Sequence, residues 1–264
     1  VLFANLLGQI FVRIQALSNV QSSIVTAWIG AILYTLQIYY DFSGYSDMAI
    51  GLGRMFGFRF PQNFNYPYIA ESITDFWRRW HMTLGTWFRE YVYIPLGGNR
   101  VTTAKHIRNL LIVWGLTGVW HGAGINFLLW GLYYGVLLII EKYLIGGFLK
   151  KHKVIGHTFT LIAVVIGWML FANTSFASLG QYFCMMFGIG KVSFFNATAG
   201  YFLRTSIVLL VLGVLFSTPI MHQLGEQIFV RYPKVSAAVR VFLFLLCIAA
   251  LVYQTYNPFL YFRF

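Results

Sequence analysis

The sequence predicts an all-α polytopic membrane protein. Of its 264 residues, 59% are hydrophobic and only 10% are charged, whereas a soluble domain carries about 25% charged residues. Residues 109–140 carry no formal charge at all, and several shorter apolar runs accompany them. Because so much apolar surface cannot be hidden in one soluble core, we expect a bundle of membrane-spanning helices.

Apolar runs bounded by polar residues mark the predicted spans. We expect them at residues 24–40, 154–172, 205–217 and 241–256. The third run is short for a crossing, which takes about 20 residues. It becomes long enough if it extends through Arg204, whose side chain can reach the membrane interface.

The net charge of +12 has two interpretations. Lysines and arginines lie between the apolar runs and form no basic stripe, which favours basic loops at a cytoplasmic membrane face over a nucleic-acid partner. The basic stretches are 97–108, 142–153 and 218–240, and the intervening segment 173–203 has a single lysine. If residues 109–140 enter the membrane and return on the same side, all three basic stretches become cytoplasmic and 173–203 faces outward, as the positive-inside rule prefers.

Three further features of the sequence exclude other kinds of organisation or site. Cys184 and Cys247 are isolated, and no Cys/His cluster has zinc spacing, so neither a disulfide framework nor a metal site is expected. The chain begins at Val1 without a charged n-region, so no signal peptide is indicated. No internal repeat or soluble linker is visible.

The uncharged run 109–140 is too long for one span and too short for two. We expect a hairpin of short or re-entrant helices, 109–120 and 125–140, joined by a glycine-rich break that places His121 at membrane depth. An ionisable residue there usually faces a protein-lined cavity and marks a functional site. The alternative is a polar link between helices, but the flanking glycines are expected to leave space for a substrate.

Residues 41–67 are polar, aromatic and glycine-rich, and we expect them to be irregular. Asp41 and Asp47 follow directly after the first predicted span. They either line a cavity or cap helices, and the sequence favours neither.

Residues 72–75 have the spacing of a capping box, which predicts a helix from Ser72 onward to Arg89. Trp77, His81, Leu84 and Phe88 would share one face of it, while Asp75 could pair with Arg78 or Arg79. The pattern is typical of an amphipathic helix at a membrane interface. His81 could equally be an interfacial histidine with a backbone partner, and the other histidines are expected to be solvated; these are His106, His152, His157 and His222.

Five ordered motifs stand out along the chain: YDFSGYSDMAIG at 40–51, DFWRRWH at 75–81, YIPLGGNR at 93–100, VWHG at 119–122 and NPFLYFRF at 257–264. Together they closely resemble the membrane-bound O-acyltransferases, and within them the bacterial alginate O-acetyltransferase branch. The last motif resembles the C-terminus of that branch. The resemblance implies one membrane-embedded domain over residues 1–264, corresponding to the C-terminal part of longer family members.

The resemblance further implies a helical bundle around a tunnel, with signature histidines at His121 and His81. It implies a multi-pass protein of the bacterial inner membrane, which uses acetyl-CoA or another acyl thioester as substrate and binds no cofactor. The acceptor would be an extracytoplasmic polysaccharide such as alginate, reached directly or through periplasmic O-acetylation proteins.

O-acylation needs a base, because a hydroxyl is a poor nucleophile until its proton is removed. A buried imidazole is suitable, since desolvation disfavours its cation. We expect His121 to be the general base and His81 to orient a substrate or assist proton transfer. Weaker candidates for orienting groups are Asp41, Tyr45, Arg78, Trp120 and Asn126.

A covalent acyl-enzyme is not indicated. The sequence contains no GxSxG motif, and neither cysteine adjoins a histidine motif. Direct transfer is therefore expected. Two other classes stay open: a proton-coupled transporter or channel, which also uses intramembrane histidines, and a non-catalytic scaffold of an exopolysaccharide assembly.

Overall fold

The computed structural model describes residues 2–18 and 20–253, and this part of the chain is mainly helical. The only β-type pairing within it is an isolated bridge between Ser23 and Ser193. The predicted all-α class is therefore confirmed. The α-helices are α1 (Ala4–Gln15), α2 (Ile24–Met55), α3 (Ile73–Arg79), α4 (Met82–Phe88), α5 (Thr103–His121), α6 (Ile125–Ile140), α7 (Gly146–Lys151), α8 (Lys153–Ala172), α9 (Phe176–Phe187), α10 (Ala197–Phe216), α11 (Pro219–Arg231) and α12 (Pro233–Tyr253).

Two π-helical turns adjoin the α-helices. The first π-turn is Arg89–Tyr93, which follows α4, and the second π-turn is Glu141–Ile145, between α6 and α7. A short 3₁₀ helix, Pro67–Ile69, precedes α3. The motif at 257–264 lies outside the described residues.

Four helical stretches of the described chain are long and apolar enough to cross a membrane. They are Ile125–Lys151, Lys153–Ala172, Ala197–Phe216 and Pro233–Val252. Lys153–Ala172 contains the run expected at 154–172, and Ala197–Phe216 extends through Arg204 and covers all but the last residue of the run expected at 205–217. Pro233–Val252 covers 241–252 of the run expected at 241–256, of which residues 254–256 lie outside the described residues. The protein is therefore a multi-helix membrane protein, as the sequence predicts.

The expected irregular structure is wrong for residues 41–55, whereas residues 56–66 contain no helix, as predicted. Helix α2 continues without a break from Ile24 to Met55, so neither Asp41 nor Asp47 caps a helix end. No proline occurs before Pro61, and each internal glycine costs a helix only about 1 kcal/mol. The helix ends before Gly57, whose φ of 83° is typical of a C-terminal glycine cap. Helix α2 is not among the four stretches above, so the span 24–40 stays a prediction.

The expected hairpin forms, but both arms are longer than the predicted short helices, since α5 already begins at Thr103 and the second arm passes residue 140; the depth of the hairpin in the membrane stays a prediction. Helices α5 and α6 pack against each other and are joined by residues 122–124. The second arm does not end at Ile140, because the helical path continues through the second π-turn and α7 to Lys151, over 27 residues. The charged residues Glu141 and Lys142 do not interrupt a helix as proline would. The stretches 142–153 and 218–240 are accordingly helical for most of their length and do not form loops.

The glycines of the hairpin serve helix packing, which corrects the expectation that they leave space beside the imidazole. A Cβ atom at Gly118 would collide with the backbone oxygen of Phe127, and one at Gly131 with that of Trp114. A Cβ at Gly122 would meet the ring of Phe127. The two helices therefore approach closely because these positions have no side chain.

The chain divides into two compact units, Val1–Tyr45 with Lys191–Phe264, and Ser46–Gly190. In the first unit, Asn196 Nδ2 donates to the backbone oxygen of Gln21 at 3.0 Å, next to the bridge between Ser23 and Ser193. The second unit contains helices α3 to α9 and both signature histidines. The single domain over residues 1–264 stays a prediction.

Candidate active site

The first histidine lies at a joint between two short helices. The expectation of one continuous amphipathic helix through residues 72–89 is wrong, because the chain breaks at Trp80 and His81 into two helices of seven residues each. His81 has φ 46° and ψ 53°, a left-handed conformation that is uncommon for a residue with a side chain. It therefore does not share the helix face of Trp77, and such a conformation persists only where the surroundings impose it.

The start of this region agrees with the sequence analysis. Ser72 Oγ accepts a hydrogen bond from the backbone nitrogen of Asp75 at 3.0 Å, so the predicted N-cap is confirmed. Asp75 pairs with Arg79, whose Nε lies 2.9 Å from Asp75 Oδ1. The other candidate, Arg78, is exposed on α3, so its predicted orienting role stays a prediction.

Residues 63–65 form backbone hydrogen bonds that keep α3 and α4 separate at His81. The backbone nitrogen of Met82 donates to the oxygen of Asn63 at 3.0 Å, and the backbone nitrogen of Asn65 donates to the oxygen of Arg79 at 2.9 Å. These bonds lie on both sides of His81 and take up backbone groups that a continuous helix would use internally. The left-handed residue is thus fixed by a segment 18 residues earlier in the chain.

Asn63 also determines which nitrogen of His81 carries the proton. Asn63 Oδ1 accepts from the backbone nitrogen of Thr83 at 3.3 Å and from its hydroxyl at 2.9 Å. The same oxygen lies 3.1 Å from His81 Nδ1. Because an amide oxygen can only accept, Nδ1 is the donor, and Nε2 of the neutral ring carries the lone pair.

The surroundings of His81 favour its neutral form. Burial, with a smaller contribution from the nearby His121, lowers the pKa of His81 to about 3. Both effects disfavour the cation, the first by desolvation and the second by repulsion between like charges. At neutral pH, His81 is therefore an uncharged imidazole whose Nε2 lone pair can accept a hydrogen bond.

The second histidine, His121, ends α5 at the tip of the hairpin. Its half-buried ring meets Trp130 edge to face, with ring centroids 4.9 Å apart, and meets Phe171 at 5.4 Å. No hydrogen bond to its ring nitrogens is found within residues 2–18 and 20–253. Aromatic packing on both sides therefore orients the ring while its nitrogens stay available for a ligand.

The two histidines come together around Trp120. The centroid of this indole lies 6.1 Å from that of His81 and 4.8 Å from that of His121. Trp120 is 49% exposed, so the cluster borders the surface of its unit. We call Trp120, His81 and His121 the histidine pair site. The fold thus brings three of the predicted site residues together.

Asn126 supports this site from one side. It is 3% exposed, and its Nδ2 donates to the backbone oxygen of Phe171 at 3.0 Å. This bond ties the start of α6 to the end of α8 and holds the ring that packs on His121. The geometry gives Asn126 a supporting position, while its predicted role towards substrate stays a prediction.

The remaining two candidates belong to the other compact unit. Asp41 is buried within α2 and Tyr45 is half-buried in the same helix, whereas both histidines lie in the unit Ser46–Gly190. Their predicted orienting roles stay predictions. Within the described residues, no group of three His, Cys, Asp or Glu side chains is placed to hold a metal ion.

Sequence reasoning missed three residues that shape the site, namely Asn63, Trp130 and Phe171. Each acts through a contact between distant parts of the chain, and no local pattern marks any of them. Asn63 stands in the polar stretch FPQNFNYP, where the density of asparagine and proline signals a loop but not its partner. The neutral ring of His81, held by Asn63, can accept a hydrogen bond from a ligand, and the ring of His121, oriented by aromatic neighbours, can take up a proton.

Comparison with known proteins identifies the family. Residues 4–189 match the model of the membrane-bound O-acyltransferase family. A protein named probable alginate O-acetylase AlgI, from Pseudomonas putida, is 38% identical over 258 residues, covering 90% of this chain and 53% of the relative. The chain spans about half the length of this relative and of a second such protein, from Azotobacter vinelandii.

Other relatives match a shorter part of this chain but with higher sequence identity. A probable alginate O-acetylase AlgI from Pseudomonas syringae is 50% identical over 166 residues, which cover 62% of this chain and 32% of that protein. A peptidoglycan O-acetyltransferase from Helicobacter pylori is 42% identical over 175 residues, or 65% of this chain and 33% of that protein. The chain belongs to the membrane-bound O-acyltransferase family.

Proposed function

We propose that this chain carries the acyl-transfer site of an O-acyltransferase of the bacterial inner membrane. The enzyme passes an acetyl group from a cytoplasmic thioester, such as acetyl-CoA, towards hydroxyls of an extracytoplasmic polysaccharide, directly or through a partner protein. The observation that carries the proposal is the meeting of His81 and His121 around Trp120. The names of the relatives support the reaction class, since they are O-acetylases of alginate and of peptidoglycan.

In this mechanism, His121 is the general base. An imidazole nitrogen of His121 takes the proton of the acceptor hydroxyl while the hydroxyl oxygen attacks the thioester carbonyl carbon. The carbon–sulfur bond then breaks, and the departing thiolate receives the proton from the imidazolium. The products are the ester and the free thiol, and the histidine returns to its starting form.

His81 has an orienting role in the same site. Its Nδ1 is held by Asn63 and its pKa of about 3 keeps it neutral. A neutral imidazole whose Nε2 carries the lone pair can accept a hydrogen bond from a sugar hydroxyl, which aligns the acceptor before reaction. The fixed tautomer makes that alignment the same in every turnover.

The acceptor is proposed as a polysaccharide because the relatives act on sugar polymers by name. Alginate is the first acceptor to test, because several of the relatives are named for it. Periplasmic O-acetylation proteins are the proposed partners if the acyl group is handed on. The lipid bilayer is the environment in which the helices reside.

The test uses the full-length protein in membranes supplied with a radiolabelled acyl thioester and the polysaccharide. We expect His121→Ala to lower the transfer rate about 10²- to 10⁴-fold, the contribution of a positioned general base. The matched control is His222→Ala, which removes an exposed histidine and should leave the rate unchanged. Membrane insertion and abundance should be equal in all three proteins.

Two outcomes would reject the proposal. Undiminished acylation by His121→Ala and by His81→Ala would indicate a scaffold in which neither histidine is needed. A labelled donor that never reaches the polysaccharide, together with proton-driven uptake of another solute by the same membranes, would indicate a transporter.

A further inference from the structure

We propose that the second π-turn, Glu141–Ile145, holds the His81 joint in its working position, and that Glu141 is the main positioning residue. The inference rests on the proposed function, because it concerns how His81 is aligned for acyl transfer. It adds a residue that stands 60 positions from His81 and shares no motif with it.

Glu141 caps the helix that leads into His81. It is 7% exposed, and its Oε2 accepts from the backbone nitrogen of Ile73 at 2.6 Å while its Oε1 accepts from that of Thr74 at 3.2 Å. The first backbone N–H groups of a helix have no partner inside the helix. They also favour negative charge, through the helix dipole. A carboxylate with both oxygens engaged in this way fixes the direction of α3.

Helix α3 depends on such a contact because it is short. It has seven residues, and an isolated helix below about 12–15 residues is marginal in water. Ser72 satisfies one further donor, the backbone nitrogen of Asp75. The residue after α3 is Trp80 and the next is His81, so the orientation of α3 is passed directly to the histidine.

The other side of the joint is tied to the same π-turn. Helix α4 runs into the first π-turn, where Tyr93 Oη lies 2.8 Å from His106 Nε2. The opposite nitrogen, His106 Nδ1, lies 2.7 Å from the hydroxyl of Tyr143 in the second π-turn. His106 is only 3% exposed, so the expectation that it is solvated is wrong. The joint is thus held on its N-terminal side by Glu141 and on its C-terminal side through His106 by Tyr143.

The π-helical geometry brings both anchors to the same place. The turn closes with a bond from the backbone nitrogen of Gly146 to the oxygen of Glu141, and a Cβ at Gly146 would collide with that oxygen. One additional residue per turn changes the direction of the side chains relative to an α-helix. Such turns are frequent at functional sites. A carboxylate near the end of a long apolar helix is costly to bury unless it is hydrogen-bonded. The hydrogen bonds of Glu141 go to the first turn of α3, the helix that precedes His81.

The experiment compares Glu141→Gln and Glu71→Gln in the full-length protein. Glutamine keeps one acceptor oxygen but turns an NH₂ group towards a backbone N–H, so one cap bond is lost. Glu71 is the matched control, because it lies directly before α3 but its side chain pairs with Lys153 at the surface, with 49% of it exposed. The readouts are kcat and KM for acyl transfer, and amide hydrogen exchange of residues 73–80.

We expect kcat of Glu141→Gln to fall about 10- to 100-fold with KM within a factor of two, since a small misplacement of a reacting group is enough for such a loss. Exchange should accelerate in residues 73–80 and stay unchanged in α8, while Glu71→Gln should match the unmodified protein. Normal kcat, unchanged exchange in 73–80, or faster exchange throughout the chain would each overturn the inference. Failure of the proposed function has a different signature, the absence of acyl transfer in the unmodified protein.

Discussion

The two histidines of the site are held in different ways. His81 stands at a joint between two helices of seven residues, where polar contacts fix its backbone and its Nδ1. His121 stands at the end of a helix of 19 residues, where the rings of Trp130 and Phe171 orient it. The comparison indicates a division of roles. A histidine with one nitrogen engaged suits the alignment of a ligand, while a histidine oriented only by packing keeps both nitrogens available for proton transfer.

The largest expected effect is the loss of kcat on replacing the two histidines, singly and together, in a double-mutant cycle. If His81 and His121 act as one catalytic unit, their losses are not additive. We expect His81→Ala to lower kcat about 100-fold, and the double variant to be no slower than His121→Ala alone. The measurement is kcat for transfer from a labelled acyl thioester. Rate losses that multiply in the double variant would indicate two independent contributions and would contradict the proposal that the two histidines act as one catalytic unit.

The next prediction concerns the hydrogen bond between His81 Nδ1 and Asn63. Asn63→Asp places an anion beside Nδ1 and stabilises the imidazolium, so the pKa of His81 should rise from about 3. The ring then becomes protonated at a higher pH than in the unmodified protein. We therefore expect the acid limb of the pH–rate profile to move to higher pH.

The control for this change is Asn65→Asp, which adds the same charge at an exposed position two residues away. Its profile should keep the position of the unmodified protein. A profile of Asn63→Asp that does not move would contradict a rate dependence on neutral His81.

The hairpin that carries His121 should respond to packing changes. Gly118→Ala adds a methyl group against the backbone of Phe127, and we expect a loss of about 1–3 kcal/mol of stability from overpacking. Gly115→Ala is the matched control on the same helix, because its Cβ would meet only Leu132 at an ordinary distance of 3.9 Å. Thermal unfolding in detergent compares the two, and equal midpoints would argue against close packing at Gly118.

The smallest expected effect lies at the start of α3. Ser72→Ala removes the N-cap bond to Asp75 and should cost about 1 kcal/mol. Because Glu141 still caps the two preceding amides, acyl transfer should fall much less than in Glu141→Gln. Unfolding midpoints and kcat measured together check this order, and a larger effect from Ser72→Ala would reverse the importance of the two caps.

Local patterns were sufficient for the features that depend on neighbouring residues. The apolar runs locate α8, α10 and α12, and the spacing from Ser72 to Asp75 correctly predicts the beginning of α3. The motif around His121 and the glycine-rich break predict the hairpin. In each case the signal lies within one or two turns of the element that it describes.

The features that sequence reasoning missed depend on distant partners. The left-handed conformation of His81 is imposed by Asn63, and the burial of His106 arises from tyrosines on two other elements. The continuation of α2 beyond Asp41 reflects cooperative helix growth that outweighs the unfavourable glycines. No periodicity in the sequence records these contacts, because they are made by chain segments that meet only after folding.

The continuous helical path from Ile125 to Lys151 has a consequence for the surrounding lipid. Its 27 residues extend about 40 Å at 1.5 Å per residue, whereas the hydrocarbon layer is about 30 Å thick. The surplus is accommodated by tilt or by letting one end stand among the headgroups, and Lys150 and Lys151 suit the latter. We therefore expect the thickness of the host bilayer to change the tilt of the helix that carries Glu141. Reconstitution in shorter- and longer-chain lipids would test this through a change in the rate of acyl transfer.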